Sequence, residues 1–324
     1  MILEIALTLM AYQTPPATAT LRPDGPPVRQ PSALADSNAA GYVPHRVYDT
    51  KRKRFSDFET MLADLKTADV VFLGEQHEDV GAHRLEAAAL EGLARRRSNI
   101  VLALEMFERD VQSPLEDYLR GSASEQDFLS ASRPWPRYGA DYRPMVEFAR
   151  RWHWPVIAGN VPRRIARLVA RRGLEGLDSL SSADRSLVAR DIRCPQDEYF
   201  DRFAKTMGDM TGHPGAGAMT DEEKKAALER VYQAQCVKDE TMGEAIATAF
   251  AAAPPRVLVV QVNGAFHSDF RSGTASRAQQ RLPEKRIAVV TFVPVADLDA
   301  ADGAPNRRIG DYIVFTLAPA TSKP

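Results

Sequence analysis

The sequence predicts an α/β fold in which helices flank a mostly parallel central sheet. Long, nearly continuous apolar runs, among them residues 69–74 and 256–262, suit strands that are buried on both faces. Stretches at helical spacing separate these runs, and strands joined by helices imply right-handed crossovers and parallel pairing. Residues 173–250 contain no strand-like run, so we expect an inserted helical subdomain there.

Predicted helices precede and separate the first strands. Residues 58–65, 83–97 and 110–119 carry apolar side chains at helical spacing, and Gly121 ends the third of these helices. Ser124, with an acidic residue three positions further on, predicts the N-cap of another short helix. These helices lie between or beside apolar runs, as the crossovers of a parallel sheet require.

An aromatic loop and two helices flank the third predicted strand. Prolines make residues 133–139 a rigid loop, and residues 142–152 form a helix that leads into the strand at 155–159. Pro162 fits the first turn of the next helix, because that turn tolerates a residue without a backbone N–H. After the insertion the sheet resumes in three strands, at residues 257–262, 287–293 and 312–317.

Charge and hydropathy argue against two classes of partner. The formal net charge of −1 gives no bulk attraction to nucleic acid or to an anionic membrane. The basic runs at residues 51–54, 95–97 and 163–172 are expected to be solvated helix faces. No apolar run approaches the roughly 20 residues of a membrane-spanning helix. We therefore predict no transmembrane segment, and peripheral membrane association stays open.

Residues 1–41 are expected to lie outside the folded domain, which we predict to extend over residues 42–320. Residues 1–11 are almost entirely apolar, and small residues at 17–19 offer a cleavage site, so the start of the chain resembles an export signal. Residues 20–41 have the composition of a disordered spacer. We expect a periplasmic or cell-envelope protein; a cytoplasmic protein is the alternative if the N-terminus is not a signal.

The two cysteines, Cys194 and Cys236, lack the spacing of a metal site. Cys194 precedes a proline in a predicted loop, and Cys236 lies inside a predicted helix. We expect two unpaired thiols. A single disulfide is the alternative in an oxidising compartment, and the spacing neither supports nor excludes it.

Residues that bind metals or transfer protons follow four of the predicted strands. They are Glu75 and His77, Glu105, Asn160 and His267. Because the carboxyl ends of parallel strands share one edge of the sheet, where ligands bind, we expect these side chains to converge. A carboxylate such as Glu105, after five apolar residues, is costly to bury unless it is paired or bound to a cation.

Two kinds of chemistry are open to this edge. The carboxylates and imidazoles of Glu75, His77, Glu105 and His267 suit either a divalent metal, with Mn, Co and Zn as the candidates, or an acid–base pair. Asn160 either orients a ligand or caps the following helix. His83 is expected on a helix surface.

A second set of residues suits a flat, apolar ligand. Tyrosine phenolates and imidazoles ligate haem iron, and the candidates are Tyr138, Tyr142, Tyr199 and His213. The aromatic loop and the helical insertion would form the walls of such a site. Three arginines would meet propionates or another anion, namely Arg163, Arg164 and Arg167. Packing in the core is the simpler explanation for each aromatic residue taken alone.

Motifs of several common enzyme classes are missing from the sequence. It contains no nucleophile elbow, phosphate-binding loop, dinucleotide-binding glycine fingerprint or zincin helix. Serine hydrolase, nucleotide-driven and nicotinamide-dependent functions therefore lack their usual support. A metal that activates water at the strand ends remains the enzyme hypothesis.

An ordered series of motifs over residues 42–295 resembles the ChaN-like haem-binding uptake family of the Tiki/erythromycin-esterase/TraB-like superfamily. The series comprises FLGEQH (72–77), LEMFERDVQ (104–112), YLRG (118–121), YRPMVEFA (142–149), VIAGNVP (156–162) and GAFH (264–267). The segments from Tyr199 to Pro214 and from Gln235 to Met242 look like the helical insert of the family.

The resemblance implies that the protein binds haem at a homodimer interface and serves bacterial iron acquisition at the cell surface. Relatives in the superfamily include metal-dependent hydrolases that use the equivalent Gly-Glu-x-His and Gly-x-x-His edges. Among the tyrosines, Tyr199, then Tyr142, then Tyr138 is our order of preference for the iron ligand. Two hypotheses remain open: a haem carrier without turnover, and a metal-dependent hydrolase.

Overall fold

The computed structural model describes residues 42–208 and 220–318, within which eight strands form one sheet. The strands are β1 His45–Asp49, β2 Arg54–Ser56, β3 Val70–Glu75, β4 Ile100–Glu108, β5 Val156–Asn160, β6 Leu258–Gly264, β7 Ile287–Val295 and β8 Tyr312–Leu317. They lie in the order β2-β1-β8-β7-β3-β6-β4-β5. The predicted export signal, the predicted spacer and His213 lie outside the described residues.

Six neighbouring strands, from β8 to β5, pair in parallel, whereas β1 pairs antiparallel with both β8 and β2. The predicted α/β class with a mostly parallel sheet is therefore confirmed. The antiparallel edge formed by β1 and β2 was not predicted. These two strands are short and only partly buried, so they lack the continuous apolar run that marked the central strands.

Eleven helices accompany the sheet in the described residues. They are α1 Phe58–Leu65, α2 Val80–Ala94, α3 Gln112–Leu119, α4 Glu125–Ser132, α5 Tyr138–Asp141, α6 Arg143–Arg151, α7 Arg163–Arg172, α8 Ser182–Arg185, α9 Glu198–Gly208, α10 Asp221–Ala252 and α11 Gly273–Arg281. Between residues 174 and 252, the elements that the structure describes are helical, including a 3₁₀ turn at Leu174–Ser179. None of the described helices combines the length and the apolar composition that crossing a bilayer requires.

Both faces of the sheet are covered, because alternate residues of each strand pack on opposite layers. Leu73 and Leu102 pack with α1, α2 and α6 on one side. Phe72 and Val101, their neighbours along the chain, pack with α10 and α11 on the other side. Two apolar layers therefore hold the strand ends in a fixed register.

The long helix α10 brings the helical segment to the edge of the sheet. It starts at Thr220 with a capping box to Glu223, and it packs against α7, α11 and β5. A disulfide joins its residue Cys236 to Cys194, which precedes α9, with the two Cα atoms 5.5 Å apart. The expectation of two unpaired thiols was wrong, because only the packing of the loop on α10 brings these distant cysteines together.

We expect the disulfide to stabilise the fold by about 2–4 kcal/mol, since it closes a loop of 42 residues in the unfolded chain. Urea unfolding with and without dithiothreitol measures this difference. A double variant, Cys194→Ser with Cys236→Ser, should match the reduced protein and should not respond to the reductant. Equal midpoints for oxidised and reduced wild type would contradict the prediction.

Candidate functional site

Three central strands, β3, β6 and β4, end side by side at one edge of the sheet. In the parallel register, Glu75 of β3 lies beside Gly264 of β6, and Leu104 of β4 lies beside Val262. Glu105 follows Leu104, and a 3₁₀ turn at Ala265–His267 directly follows β6. The carboxyl ends of these strands thus bring the predicted polar residues to one place.

Gly264 lies at the centre of this edge. Its lack of a side chain leaves room for those of His77 and Glu105. A Cβ atom added to Gly264 would lie 2.7 Å from His77 Nε2 and 3.6 Å from Glu105 Oε2. The backbone N–H of Gly264 donates to Glu105 Oε2 over 2.7 Å, and His267 Nε2 lies 3.3 Å from Glu105 Oε1. The structure therefore brings Glu75, His77, Glu105 and His267 together.

Glu75 is buried and orients the histidine that faces the opening. Its Oε1 accepts hydrogen bonds from His77 Nδ1 at 2.7 Å and from the Tyr142 hydroxyl at 2.6 Å. Burial would raise the pKa of Glu75, but the hydrogen bond from His77 and the nearby imidazole of His83 hold it below its usual range. A carboxylate that fixes one imidazole nitrogen leaves the other, Nε2, aimed at a ligand.

His77 is the exposed member of the group. Its side chain is 28% exposed, and no hydrogen bond from the described residues reaches Nε2. Its ring packs edge-on against Trp135, with the ring centres 4.9 Å apart. Burial lowers the pKa of His77, but Glu75 and Glu105 together raise it above its ordinary value. A metal would have to displace a proton from this nitrogen.

His83 is buried, and the expectation that it lies on a helix surface was wrong. Its Nε2 lies 3.2 Å from Glu75 Oε2, and its Nδ1 lies 3.3 Å from Asp141 Oδ1. Burial lowers the pKa of His83, but Asp141 and Glu75 raise it to about 9. The face of α2 that carries His83 packs onto the strand end. Helical spacing alone did not show whether this face meets the sheet or the solvent.

His267 is held by a carboxylate that the sequence reasoning did not single out. His267 Nδ1 lies 2.7 Å from Asp239 Oδ1. Asp239 also accepts hydrogen bonds from the hydroxyls of Tyr199 at 2.7 Å and Thr274 at 2.8 Å, and it is fully buried. Gln235 Nε2 lies 3.2 Å from His267 Nδ1 and donates to the Tyr199 hydroxyl over 3.1 Å. One feature of the sequence could have pointed to Asp239: it is a charged residue within the segment 235–242, which the family resemblance covers.

The Glu105–His267 pair is ionised at neutral pH. Burial disfavours charge on Glu105, but His267 brings its pKa down to about 2. Burial likewise disfavours the imidazolium, but Glu105 and Asp239 raise the pKa of His267 to about 10. The pair can therefore present a fixed negative and a fixed positive charge beside His77.

These groups line a cavity of about 270 Å³ that opens beside α7 and α10. Trp135 and Phe266 supply aromatic walls, and Arg163, Arg167 and Lys238 supply cationic ones. Lys238 was missed by the sequence reasoning because helical spacing does not show which face of α10 meets the strand ends. Burial lowers its pKa.

Of the other predicted ligand-binding residues, Asn160 lines the cavity and Arg164 does not. Arg164 lies outside this cavity, with Nη2 2.9 Å from Asp184 Oδ1. Asn160 does not cap α7: its side chain donates to the Glu105 carbonyl over 3.1 Å and accepts from the Val161 N–H over 2.9 Å. Asn160 therefore fixes the backbone of Glu105.

All three tyrosines considered as iron ligands are buried. The hydroxyls of Tyr142 and Tyr199 donate to Glu75 and Asp239, whereas that of Tyr138 has no hydrogen-bond partner among the described residues. Burial is the first cause that raises the pKa of each phenol, and the nearby carboxylates raise it further for Tyr142 and Tyr199. These surroundings oppose the phenolate that an iron ligand needs.

Comparisons with known proteins agree with this architecture. A family model described as haem-binding uptake, Tiki superfamily, ChaN, matches residues 61–278. The chain is 25% identical, over 274 residues, to Protein RETICULATA-RELATED 5, chloroplastic, of Arabidopsis thaliana; the match spans 80% of this chain and 35% of that relative.

Two solved structures are similar to the chain. One describes cofacial haem binding to ChaN of Campylobacter jejuni, with a TM-score of 0.61 and 18% identity over 85% of this chain and 97% of that one. Another is an erythromycin esterase mutant in its open conformation, with a TM-score of 0.44 and 13% identity over 77% of this chain and 76% of that one. At this identity, the first of them shows a shared fold.

Proposed function

The chain belongs to the family of haem-binding uptake proteins of the Tiki superfamily, ChaN, and we propose that it binds haem in the cavity between the ends of β3, β4 and β6. The observation that supports this most strongly is the orientation of the His77 ring. Its Nδ1 is fixed by Glu75, and its Nε2 faces the cavity beside the indole of Trp135.

His77 is the best candidate for the iron ligand among the described residues of the cavity. Imidazole ligands of metals usually donate their second ring N–H to a carboxylate, as His77 does to Glu75. Tyr142 and Tyr199, in contrast, would have to give up buried hydrogen bonds and ionise against a raised pKa. We therefore propose His77 ahead of the tyrosines as the axial ligand.

Cationic side chains that line the cavity suit the propionates of haem. Arg163 and Arg167 of α7 and Lys238 of α10 line it together. The Arg163 guanidinium also lies 5.7 Å from the centre of the Trp135 ring, within reach of a cation–π contact. Charge-assisted hydrogen bonds from arginine are the usual means of holding such carboxylates.

The size of the cavity bears on how a haem would be covered. A volume of about 270 Å³ is at the small end for small-molecule sites and does not enclose a porphyrin. Part of the ligand would project from the mouth, where a second haem or a second copy of the chain can cover it. The similar ChaN structure describes cofacial haem binding, and a homodimer that shields two haems is our proposal for this chain.

We further propose that the protein works in an exported compartment, as part of iron or haem uptake. The Cys194–Cys236 disulfide supports this location, since disulfides persist in oxidising compartments and are rare in the cytosol. The export signal predicted for residues 1–19 supports it independently.

Titration of the chelator-treated protein with hemin tests the binding proposal. We expect a saturable shift of the Soret band, with a spectrum typical of histidine ligation. His77→Ala should weaken the affinity by at least about 10-fold, because it removes the proposed ligand. His153→Asn, which changes an exposed histidine before β5, is the matched control and should bind like wild type. Absence of a saturable shift in wild type would exclude haem binding.

A metal-dependent hydrolase remains the second candidate, and one observation favours it. His77, Glu105 and His267 line the same cavity, and each imidazole has a carboxylate behind it, Glu75 for His77 and Asp239 for His267. Such a group can hold a divalent metal that activates water. Stoichiometric Mn, Co or Zn in protein purified without chelator, lost in His77→Ala and His267→Ala, would support this function, and a metal-free wild type would not.

A further inference from the structure

Behind the cavity, three buried side chains converge that the haem proposal does not use as ligands. Glu75 ends β3, while His83 and Glu86 lie three residues apart on one face of α2. One ligand atom from each of them lies within 4.8 Å of the other two, and none of the three residues is more than 2% exposed. Spacings of this kind are those that separate the ligands of one metal ion.

Glu86 is the member that ordinary contacts leave unexplained. It is fully buried, and neither of its carboxylate oxygens has a hydrogen-bond partner among the described residues. An ionised carboxylate that is buried without a hydrogen-bond donor is strongly disfavoured, because it has lost its hydration and no hydrogen bond or counter-charge replaces it. Either a proton or a cation must therefore accompany it.

Three further acidic side chains surround Glu86. Glu75 and Asp141 lie on either side of His83, and Asp79 is a further acidic neighbour that raises the pKa of Glu86. Three basic side chains face them: His83, His77, whose Nδ1 lies 2.7 Å from Glu75 Oε1, and Arg137, whose Nε lies 2.7 Å from Asp141 Oδ2. The Asp79 carboxylate already accepts hydrogen bonds from the Ala82 N–H and the Thr316 hydroxyl. Glu86 is therefore the acidic residue of this group whose carboxylate lacks a hydrogen-bond partner among the described residues.

We propose that Glu75, His83 and Glu86 form a buried site for a divalent transition-metal ion. Two carboxylates and one imidazole suit first-row ions such as Mn²⁺ or Zn²⁺. His83 Nε2 would be the ligand atom, because Nδ1 faces Asp141, which takes the usual role of the carboxylate behind a metal-binding histidine. Tyr142, which donates to Glu75, completes the outer partners.

A proton is the competitor of the metal at this site. In the metal-free protein, burial and then the charge of Glu75 raise the pKa of Glu86 well above its ordinary value, which favours the neutral carboxyl. His83 is also protonated, with its pKa raised to about 9 by Asp141 and Glu75. Metal binding must release these protons, and the apparent affinity should increase with pH.

This site is distinct from the metal site of the hydrolase hypothesis, with which it shares only Glu75. The proposal is also tested separately from haem binding, because the outcome of a hemin titration does not decide whether the metal binds here. Glu75 connects the two places, since Oε1 holds His77 at the cavity and Oε2 faces His83. A cation here would fix the carboxylate that orients His77.

Calorimetric titration of the chelator-treated full chain with MnCl₂ and with ZnCl₂, in buffers of different ionisation enthalpy, tests the proposal. We expect one equivalent to bind with release of protons. Glu86→Gln should reduce the affinity more than about 100-fold, because loss of a ligand exceeds the effect of losing an outer partner. His267→Ala, at the cavity, should retain the metal.

Glu86→Gln is a mild change for the metal-free protein, because glutamine has the shape of a protonated glutamate. Its thermal midpoint without metal should therefore equal or exceed that of wild type, and it should lose the metal-induced increase in midpoint. His83→Gln is a second ligand variant with the same expected loss of metal. Wild type that binds no metal, or a Glu86→Gln protein that binds like wild type, would overturn the proposal in favour of a shared proton. Metal lost in His267→Ala but kept in Glu86→Gln would place the ion at the cavity.

Discussion

Asp239→Asn is expected to reduce the free energy of unfolding by about 3–5 kcal/mol, the usual effect of removing one partner from a buried ion pair. Asp239 is fully buried and receives hydrogen bonds from His267, Tyr199 and Thr274. An amide can accept fewer of them, and it leaves the imidazolium of His267 with only Glu105 as a counter-charge. Urea unfolding at neutral pH measures the loss.

Asp201→Asn provides the matched control, because Asp201 is an exposed residue on α9. Its unfolding free energy should stay within about 0.5 kcal/mol of wild type. A loss below about 1 kcal/mol for Asp239→Asn would show that the Asp239 network contributes little to stability, and that His267 is not an imidazolium in the native protein.

The same network sets the pH dependence of stability. The pKa of His267 is raised from 6.5 to about 10, so its contribution is fully present below pH 6.5 and is lost as the pH rises through about 10. The pKa of Glu105 is lowered from 4.5 to about 2, so its contribution is present above pH 4.5 and is lost as the pH falls through about 2.

We therefore expect the unfolding free energy of wild type to fall between pH 7 and 10. The Asp239→Asn variant should show a weaker dependence there, because its His267 has lost one of the two charges that raise the pKa. Unfolding midpoints at a series of pH values measure both slopes. A wild-type slope equal to that of the variant would contradict the assignment of a high pKa to His267.

Gly264→Ala is expected to lower the affinity for hemin by at least about 10-fold while leaving the fold intact. The new methyl group would lie 2.7 Å from His77 Nε2 and 2.8 Å from Cε1, closer than carbon can approach these atoms. Because the His77 side chain is partly exposed, its ring can turn towards solvent instead of straining the sheet. It would then lose its hydrogen bond to Glu75 and its direction towards the cavity.

Gly139→Ala separates this steric effect from the general effect of replacing a glycine. A Cβ atom added at Gly139 meets no other atom within 4 Å, so that variant should bind hemin like wild type. Hemin titration together with thermal unfolding distinguishes lost binding from lost structure. If Gly264→Ala bound hemin with the affinity of wild type, haem binding would not depend on the position of His77.

The sheet and the convergence of its polar ends could be predicted because both follow from local patterns. Each central strand is an apolar run with one polar residue at its end, and parallel pairing carries those ends to one edge. Glu75, Glu105 and His267 were identified in this way, and the structure brings them together around Gly264. Their place at this edge follows from the direction of the strands that carry them.

The residues that the sequence did not reveal reach the site from helices. Asp239 and Lys238 belong to α10, and His83 and Glu86 belong to α2. Helical spacing shows which residues share a face, but not which face meets a strand end, because packing of the whole domain decides that. The Cys194–Cys236 disulfide has the same origin, since only the fold sets the distance between its two cysteines.

Iron-edge anomalous diffraction from crystals of the haem-loaded protein tests the central claim most directly. The account predicts an iron peak at the mouth of the cavity between β3, β4 and β6, within bonding distance of His77 Nε2. An iron peak bound to a tyrosine, or on a different surface of the molecule, would contradict it.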